Sequence, residues 1–369
     1  MNRRRFLGVM GAGALGLTRR GPAMPWAAVA GHEPEISVER WSWAMGQPVH
    51  LQLFAPSEVA GYEAAQAALA ELRRVEGVLS RFDPASDLSD LNRRAGRGRG
   101  RVAADLAEVL RASTRFQRIT QGAFNPAVEP LMRAWGFHAP RSVEPTPAEL
   151  KEALREVRAA RIVVEGDRVG LDSRETQLDL GGIGVGYGLD RAVAVLRGAG
   201  IRRAFLDVSG DCYALGAPPG AEGWLVEVAD PRRPGGTLTA LRLRDRALAT
   251  SANTVSVVCY GRAVRGHIMD PATGWPAEGW SQVSVVARTG LEADALSTAM
   301  LIDGRPRPGA ETYFALSAGL GSRVSPLTLS ATRARSRSSV RCLASQSSEL
   351  IPPYEMANES FTGNSSSNR

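Results

Sequence analysis

Residues 179–188 read Asp179-Leu180-Gly181-Gly182-Ile183-Gly184-Val185-Gly186-Tyr187-Gly188, and this stretch decides the fold. Five glycines let backbone N–H groups come close to an anion, and a helix predicted to run on to about Arg197 would favour negative charge at its N-terminus. The pattern predicts a phosphate-binding loop, with a tight strand-to-helix turn as the alternative. A dinucleotide-binding unit fits poorly, because the stretch begins with an acid and no matching strand–helix–strand unit with a ribose-binding acid follows.

Hydrophobic periodicity on both sides of this stretch predicts mixed secondary structure. Strand patterns cover 36–55 around a turn at Met45-Gly46-Gln47-Pro48, then 161–171, 203–208, 224–261, 264–268 and 282–288. Helical patterns cover 58–80, 103–118 and 148–159, and another begins near Leu291. Helices and hairpin-linked strands do not alternate regularly. The predicted fold class is therefore α+β, with mixed sheets and packed helices, and not a doubly wound sheet.

The first 30 residues have the pattern of an export signal. Arg3, Arg4 and Arg5 precede Phe6-Leu7, a short apolar run and the small-residue site Ala28-Val29-Ala30. The apolar run is shorter than the roughly 20 residues that a membrane-spanning helix needs. We therefore expect residues 1–30 to be a twin-arginine signal peptide. The protein should then be periplasmic and should contact the membrane only during export.

The net charge of +7 does not indicate a nucleic-acid-binding protein. Five arginines lie in residues 1–30 and eight more in residues 305–369, so the body between them is slightly acidic. Phosphate backbones need a broad basic face, and no nucleic-acid partner is expected. Residues 322–369 are rich in Ser and Arg and predict a disordered tail or a corrupted reading frame. Three cysteines without metal spacing leave any pairing open.

Two further segments carry candidate chemistry. Asp294 and Thr298 are four residues apart, so on a helix they share a face. A carboxylate and a hydroxyl on one face suit a hard cation such as Mg²⁺, although an acid near a helix start is often only a cap. His267 precedes the turn sequence Asp270-Pro271-Ala272-Thr273-Gly274. A histidine beside an acid and a glycine turn is a candidate for acid–base chemistry, although a lone histidine is usually structural.

Taken in order, these segments resemble the FAD:protein FMN transferase (ApbE) family from about Met45 to Gly304. The resemblance rests on Met45-Gly46, Ser80-Arg81-Phe82 with Ser86 and Leu91-Asn92, Gly122-Ala123-Phe124-Asn125-Pro126, Leu131 with Trp135-Gly136-Phe137, Asp179 to Ile183, Gly210-Asp211, Thr250-Ser251, His267 to Gly274, and Ala293 to Thr298. Each motif is weak alone, but nine in the family's order are specific.

The resemblance implies one catalytic unit of two lobes within residues 31–321. It implies Mg²⁺-dependent transfer of FMN from FAD to a threonine hydroxyl of a target flavoprotein, with release of AMP. The implied acceptor is a membrane-associated electron-transfer protein. Carried over by motif, the metal residues are Gly182, Asp294, Ser297 and Thr298. The FAD-binding residues are Met45, Phe82, Ala123, Phe124, Asn125, Asp179, Val185 and Met269, and the acid–base candidates are His267 and Asp270.

Four positions depart from the family's pattern. Val185 stands where the family often has Lys or Glu, Asn125 where it usually has Asp, Ser209 in place of a Gly, and Ala272 in place of a frequent Arg. The proposed metal side chains are unaffected. Two alternative functions therefore stay open: an FAD-binding protein that does not catalyse transfer, and an FAD pyrophosphatase that gives FMN and AMP.

Overall fold

The computed structural model describes residues 35–138, 140–231, 233, 235–307, 310 and 312–317, the last six by their backbone alone. The predicted signal peptide and the predicted tail lie outside the described residues. The strands are β1 (Ile36–Ala44), β2 (Gln47–Ala55), β3 (Gly100–Arg101), β4 (Ile162–Glu165), β5 (Arg168–Leu171), β6 (Arg203–Val208), β7 (Asp211–Leu215), β8 (Trp224–Ala229), β9 (Thr237–Leu243), β10 (Arg246–Ala252), β11 (Val257–Tyr260), β12 (Ala263–Gly266), β13 (Trp280–Ala287) and β14 (Thr312–Ser317).

The helices are α1 (Glu58–Leu79), α2 (Asp87–Arg93), α3 (Ala104–Ile119), α4 (Glu129–Ala134), α5 (Pro147–Ala159), α6 (Gly184–Gly198) and α7 (Gly290–Asp303). None of these described helices is both long enough and apolar enough to cross a bilayer. The predicted α+β class is confirmed, because helices pack on a sheet that is built from hairpins.

A seven-stranded sheet forms the centre, in the order β1-β2-β6-β7-β10-β13-β14. Every neighbouring pair in it is antiparallel. The first hairpin turns at Met45 and Gly46, as expected, and both have positive φ, 57° and 70°. Positive φ at both central residues is typical of the tight turn whose twist matches two antiparallel strands.

Helices α1, α6 and α7 cover one face of the sheet, and two of them touch through glycine. A Cβ on Gly186 of α6 would stand 2.1 Å from the carbonyl oxygen of Gly290 of α7, so neither position has room for a side chain. The expected glycine-rich loop is therefore wrong beyond Ile183. Gly184, Gly186 and Gly188 belong to α6, and the glycine at 186 serves helix packing.

The β8–β9 hairpin covers the other face of the sheet, where it packs around Trp224, Cys212 and Leu248. Helices α2 and α3 pack with the β3-β5-β4 sheet in a second large core. Helices α4 and α5 pack around the buried Trp135, beside the β11–β12 hairpin. One end of the central sheet faces these smaller elements, and the space between them is the candidate site.

Candidate functional site

A cavity of about 420 Å³ opens at the end of the central sheet. Its walls come from the starts of β2 and β7, the ends of β6 and β10, the 179–185 segment, the stretch from Ala123 to His138 and the residues around His267. Eleven of the fourteen residues expected at the site line it: Phe82, Ala123, Phe124, Asn125, Asp179, Gly182, Val185, His267, Met269, Asp294 and Thr298. Segments far apart in sequence thus converge on one cavity.

Three expected site residues do not line the cavity. Met45 is partly buried between the two large cores, and its N–H donates to Glu76 at 2.8 Å. Ser297 is buried behind the wall, with its Oγ 2.8 Å from Ser251 Oγ. The carboxylate of Asp270 accepts hydrogen bonds from Ala272 N–H and from the Thr273 hydroxyl within its own turn. Asp270 therefore shapes the turn that follows His267.

Oxygen atoms from three elements meet at the α7 side of the cavity. Thr298 Oγ1 lies 3.3 Å from Ser251 Oγ of β10. A Cβ on Gly182 would stand 2.9 Å from Thr298 Oγ1, so the backbone of the glycine segment runs directly over that hydroxyl. Asp294 Oδ2 accepts the N–H of Gly186 at 3.0 Å. The close glycine contact between α6 and α7 is what lets Asp294 reach this place.

Two carboxylates, the buried Asp294 of α7 and the partly buried Asp211 of β7, face the same end of the cavity. Burial raises the pKa of Asp294 well above its ordinary value, and the charge of Asp211 raises it further. Burial also raises the pKa of Asp211, against the N–H of Thr250, which donates to it at 2.8 Å. Neither carboxylate has an ion pair with Arg or Lys among the residues described. Two like charges at one place without a counter-charge destabilise the folded protein, and a bound cation would remove that destabilisation.

The donor set fits a hard cation such as Mg²⁺. Carboxylate, hydroxyl and carbonyl oxygens are its preferred ligands, and Asp294, Thr298 and Gly182 offer one of each type. The described residues contain no group of three or more His, Cys, Asp or Glu that could hold a metal ion. The two uncompensated acids in the wall are the observation that favours a cation.

His267 lies in the cavity wall at the end of the β11–β12 hairpin. Its backbone N–H donates to the carbonyl of Ser256 at 3.1 Å, and its ring faces Phe137 edge-on at 6.4 Å. Burial lowers the pKa of His267, and the Ser256 backbone and the charge of Asp179 act in the opposite direction. Nδ1 is buried and has no hydrogen-bond partner in the described part of the chain. A neutral imidazole at this place can accept a proton.

The other end of the cavity is aromatic and lightly charged. Phe82 is 78% exposed, and the guanidinium of Arg81 lies 4.9 Å from its ring centroid. Asn125 Oδ1 accepts a hydrogen bond from the N–H of Ala127 at 2.9 Å, so the amide shapes its own loop. Val185 adds an apolar surface to the wall. This end suits a flat ring system better than a phosphate.

Four residues that the sequence analysis did not assign belong to the site or support it: Asp211, Ser251, His138 and Glu129. Asp211 and Ser251 stood in motifs of the family resemblance, which was the signal available for them. His138 lines the cavity, and the buried Glu129 contacts the His138 imidazole. No spacing in the sequence links Glu129 and His138 to the glycine segment, because only the fold brings them there.

The fold and the cavity define an α+β protein with an oxygen-lined cation site and an aromatic ring site. The ApbE family model matches residues 45–312. Among similar proteins, FAD:protein FMN transferase of Rhodobacter capsulatus is 33% identical over 223 residues, 59% of this chain and 42% of that protein. FAD:protein FMN transferase of Treponema pallidum (strain Nichols) is 32% identical over 276 residues, 66% of this chain and 74% of that protein.

Solved structures agree with this. The ApbE protein of Thermotoga maritima superposes with a TM-score of 0.70 at 28% identity, covering 76% of this chain and 94% of that one. Flavin transferase ApbE of Vibrio cholerae shares the fold with a TM-score of 0.64 at 22% identity, covering 78% and 98%. The chain belongs to the ApbE family. It is therefore a flavin transferase, and FAD is the substrate that the names of its relatives give.

Proposed function

We propose that this protein transfers FMN from FAD to a threonine hydroxyl of a partner protein, with Mg²⁺ in the site and AMP as the leaving group. The observation that carries the proposal is the uncompensated carboxylate pair Asp211 and Asp294 in the wall of a cavity that also holds Thr298 and His267. The relatives named FAD:protein FMN transferase support the flavin substrate.

Side-chain oxygens of Asp294 and Thr298 and the carbonyl of Gly182 would hold the Mg²⁺, and Ser297 would support them from behind. When bound, the cation neutralises charge on the pyrophosphate oxygens. Asp211 was not among the expected metal residues, and we add it as a second negative charge at the same place. The hydroxyl of Ser251 fixes those of Ser297 and Thr298 through contacts of 2.8 and 3.3 Å.

His267 would take the proton of the acceptor hydroxyl. The reaction forms a bond from the threonine oxygen to the phosphorus of the FMN half and breaks the bridging P–O bond to AMP. The hydroxyl proton goes to the imidazole, which is neutral at neutral pH because burial lowers its pKa. The other acid–base candidate, Asp270, accepts hydrogen bonds within the turn through both of its carboxylate oxygens. Its role is to hold the turn next to His267.

Phe82 would stack on one of the flat ring systems of FAD, because it presents an exposed aromatic face at the cavity mouth. Ala123, Phe124, Asn125, Asp179, Val185 and Met269 would form the surrounding wall. Met45 supports the site indirectly, because its side chain packs beside Gly184 and Gly188 at the start of α6. The apolar side chain of Val185 can make no polar contact to the nucleotide, so neighbouring polar groups must orient the nucleotide.

The acceptor and the place of action belong to the same proposal. The arginine-led first 30 residues support export by the twin-arginine route, which would put the enzyme in the periplasm. A membrane-associated electron-transfer protein is then the fitting acceptor. N-terminal sequencing of the protein from the periplasm of its source tests this, and we expect the mature chain to begin at Gly31.

The test of the reaction is direct. Purified protein is incubated with FAD, MgCl₂ and a flavoprotein acceptor domain, with a family member of known activity in parallel. Mass spectrometry should find FMN bound to an acceptor threonine, in amounts that depend on Mg²⁺. An unmodified acceptor, while the parallel enzyme modifies it, would refute the proposal.

A further inference from the structure

A second histidine, His138, lines the cavity beside Phe82. It follows α4 and the buried Trp135, and only 12% of its side chain is exposed. Its ring meets Phe82 edge-on, with centroids 6.1 Å apart and an angle of 81° between the planes. His138 therefore borders the aromatic end of the cavity.

Glu129 fixes the orientation of His138. This glutamate is 5% exposed, and its Oε1 lies 3.3 Å from Nδ1 of the imidazole. The guanidinium of Arg81 donates to the same oxygen at 3.2 Å. Burial alone would raise the pKa of Glu129, but the hydrogen bond to His138 and the charges of Arg133, Arg81 and His138 lower it. The glutamate is thus an ionised acceptor, and Nδ1 carries the hydrogen between them.

The other ring nitrogen, Nε2, remains available to the cavity. Its nearest acid is Asp179, whose Oδ2 lies 3.9 Å away, beyond hydrogen-bond distance. The Nε of Arg81 lies 3.7 Å from the same oxygen and has no hydrogen-bond partner among the described residues. Asp179 Oδ1 is already bonded to the N–H of Gly181. His138 Nε2 and Arg81 Nε thus lie near Asp179 without forming a hydrogen bond to it.

We propose that His138, oriented by Glu129, binds the edge of the FAD ring that stacks on Phe82, through Nε2. The inference rests on the proposed function, since it takes FAD to be the ligand. The aromatic neighbour supplies a face and the imidazole supplies a hydrogen bond, which is how a cavity selects a heteroaromatic ring over an apolar one. His138 is a specificity-determining residue in this account, and Glu129 is a positioning residue.

The test compares FAD binding by the wild type and three variants, followed by flavin fluorescence in MgCl₂. His138→Phe keeps the ring contact with Phe82 and removes both nitrogens. Glu129→Gln keeps the shape and removes the charge. Arg155→Gln is the control, because Arg155 pairs with Glu152 and Glu175 on the surface, with 52% of its side chain exposed. Melting temperatures verify that each variant folds.

We expect His138→Phe to raise the Kd for FAD about tenfold, the effect of one hydrogen bond, and to leave kcat at saturating FAD unchanged. Glu129→Gln should raise Kd in the same direction, and the double variant should lose less than the product of the two effects. Arg155→Gln should bind as the wild type does. Competition by AMP and by FMN then identifies the ring, because only the half that touches His138 loses affinity in His138→Phe.

Two results would overturn the inference. One is a folded His138→Phe variant with the Kd of the wild type. The other is a pair of effects that multiply fully in the double variant, since Glu129 would then act independently of His138. Neither result touches the proposed function, which fails only if the wild type transfers no flavin.

Discussion

Gly182 and Thr298 approach so closely that a Cβ on the glycine would stand 2.9 Å from the threonine hydroxyl oxygen. The contact joins the glycine segment to α7, and both residues are proposed ligands of the same cation. The need for a glycine at position 182 therefore follows from the place of Thr298, a proposed ligand of the cation.

Gly182→Ala should lower flavin transfer about 100-fold, because an added methyl group displaces Thr298 by a few tenths of an ångström or more and misplaces the bound pyrophosphate. Steady-state rates at saturating FAD measure this. Gly77→Ala is the matched control, since a Cβ added at this position of α1 would have no neighbour within 4 Å. Equal rates for the two variants would mean that the approach of Gly182 to Thr298 has no catalytic importance.

Gly290→Ala should cost about 3 kcal/mol of unfolding free energy. Its Cβ would lie 2.4 Å from the carbonyl oxygen of Gly186, so α6 and α7 must separate. Urea unfolding measures the change. Gly77→Ala should instead gain up to about 1 kcal/mol, because alanine is the better helix former at an unobstructed helical site. A Gly290→Ala variant as stable as the wild type would contradict the packing described for these helices.

Asp294→Asn should abolish transfer and yet raise the melting temperature measured without Mg²⁺. The substitution removes one of two like charges in the wall, which burial and mutual repulsion make unfavourable. Mg²⁺ should raise the melting temperature of the wild type and leave that of the variant unchanged. If Mg²⁺ stabilises both proteins equally, the cation binds elsewhere.

The pH dependence of transfer should reflect His267. Burial lowers its pKa below the ordinary 6.5, so the imidazole is neutral and able to accept a proton throughout the neutral range. The rate should be level from pH 7 to pH 8 and should fall only below pH 6.5. His267→Gln should lower kcat about 100-fold or more and remove that acidic decline. An acidic decline that His267→Gln leaves unchanged would exclude His267 as the base, because Asp211 and Asp294, whose pKa values burial raises, would then set it.

Asp190 should make the protein less stable as the pH rises from about 4 to about 6. Burial raises its pKa to about 6, against hydrogen bonds from the N–H groups of Leu291 and Gly290. Between the unfolded value of 3.8 and about 6, the folded state binds more protons than the unfolded one, so stability falls with rising pH.

Asp190→Asn imitates the protonated acid, so the difference between variant and wild type isolates this residue from the other buried acids. The variant should match the wild type near pH 4 and exceed it by up to about 3 kcal/mol above pH 6. Urea unfolding at both pH values measures the difference. A difference that does not change with pH would show that Asp190 titrates normally in the folded protein.

Local sequence patterns predicted much of the fold. The tight turn at Met45-Gly46 and the strands within 161–171 lie where expected, because their chemistry is local. The glycine-rich segment misled in part. Glycine permits both a loop and a close helix contact, and only the position of Gly290, 104 residues from Gly186, distinguishes them.

The site residues, too, could be predicted from the sequence only in part. Motifs placed Asp294, Thr298 and Gly182 together, and the structure brings all three to one cavity. Asp270 carried the right residue type at the right spacing, but its carboxylate oxygens bond within the turn. Glu129 and His138 could not be predicted from spacing, since their relation to Asp179 is created by the packing of α4 against the cavity wall.

The products formed from FAD test the central claim most directly. Wild-type protein, FAD, MgCl₂ and acceptor are mixed, and AMP, free FMN and FMN-modified threonine are measured in the same sample. We predict one AMP for every modified threonine and no free FMN beyond a control without enzyme. AMP with an equal amount of free FMN would identify a pyrophosphatase instead. Bound FAD without AMP would identify a binding protein, and either result would contradict the account.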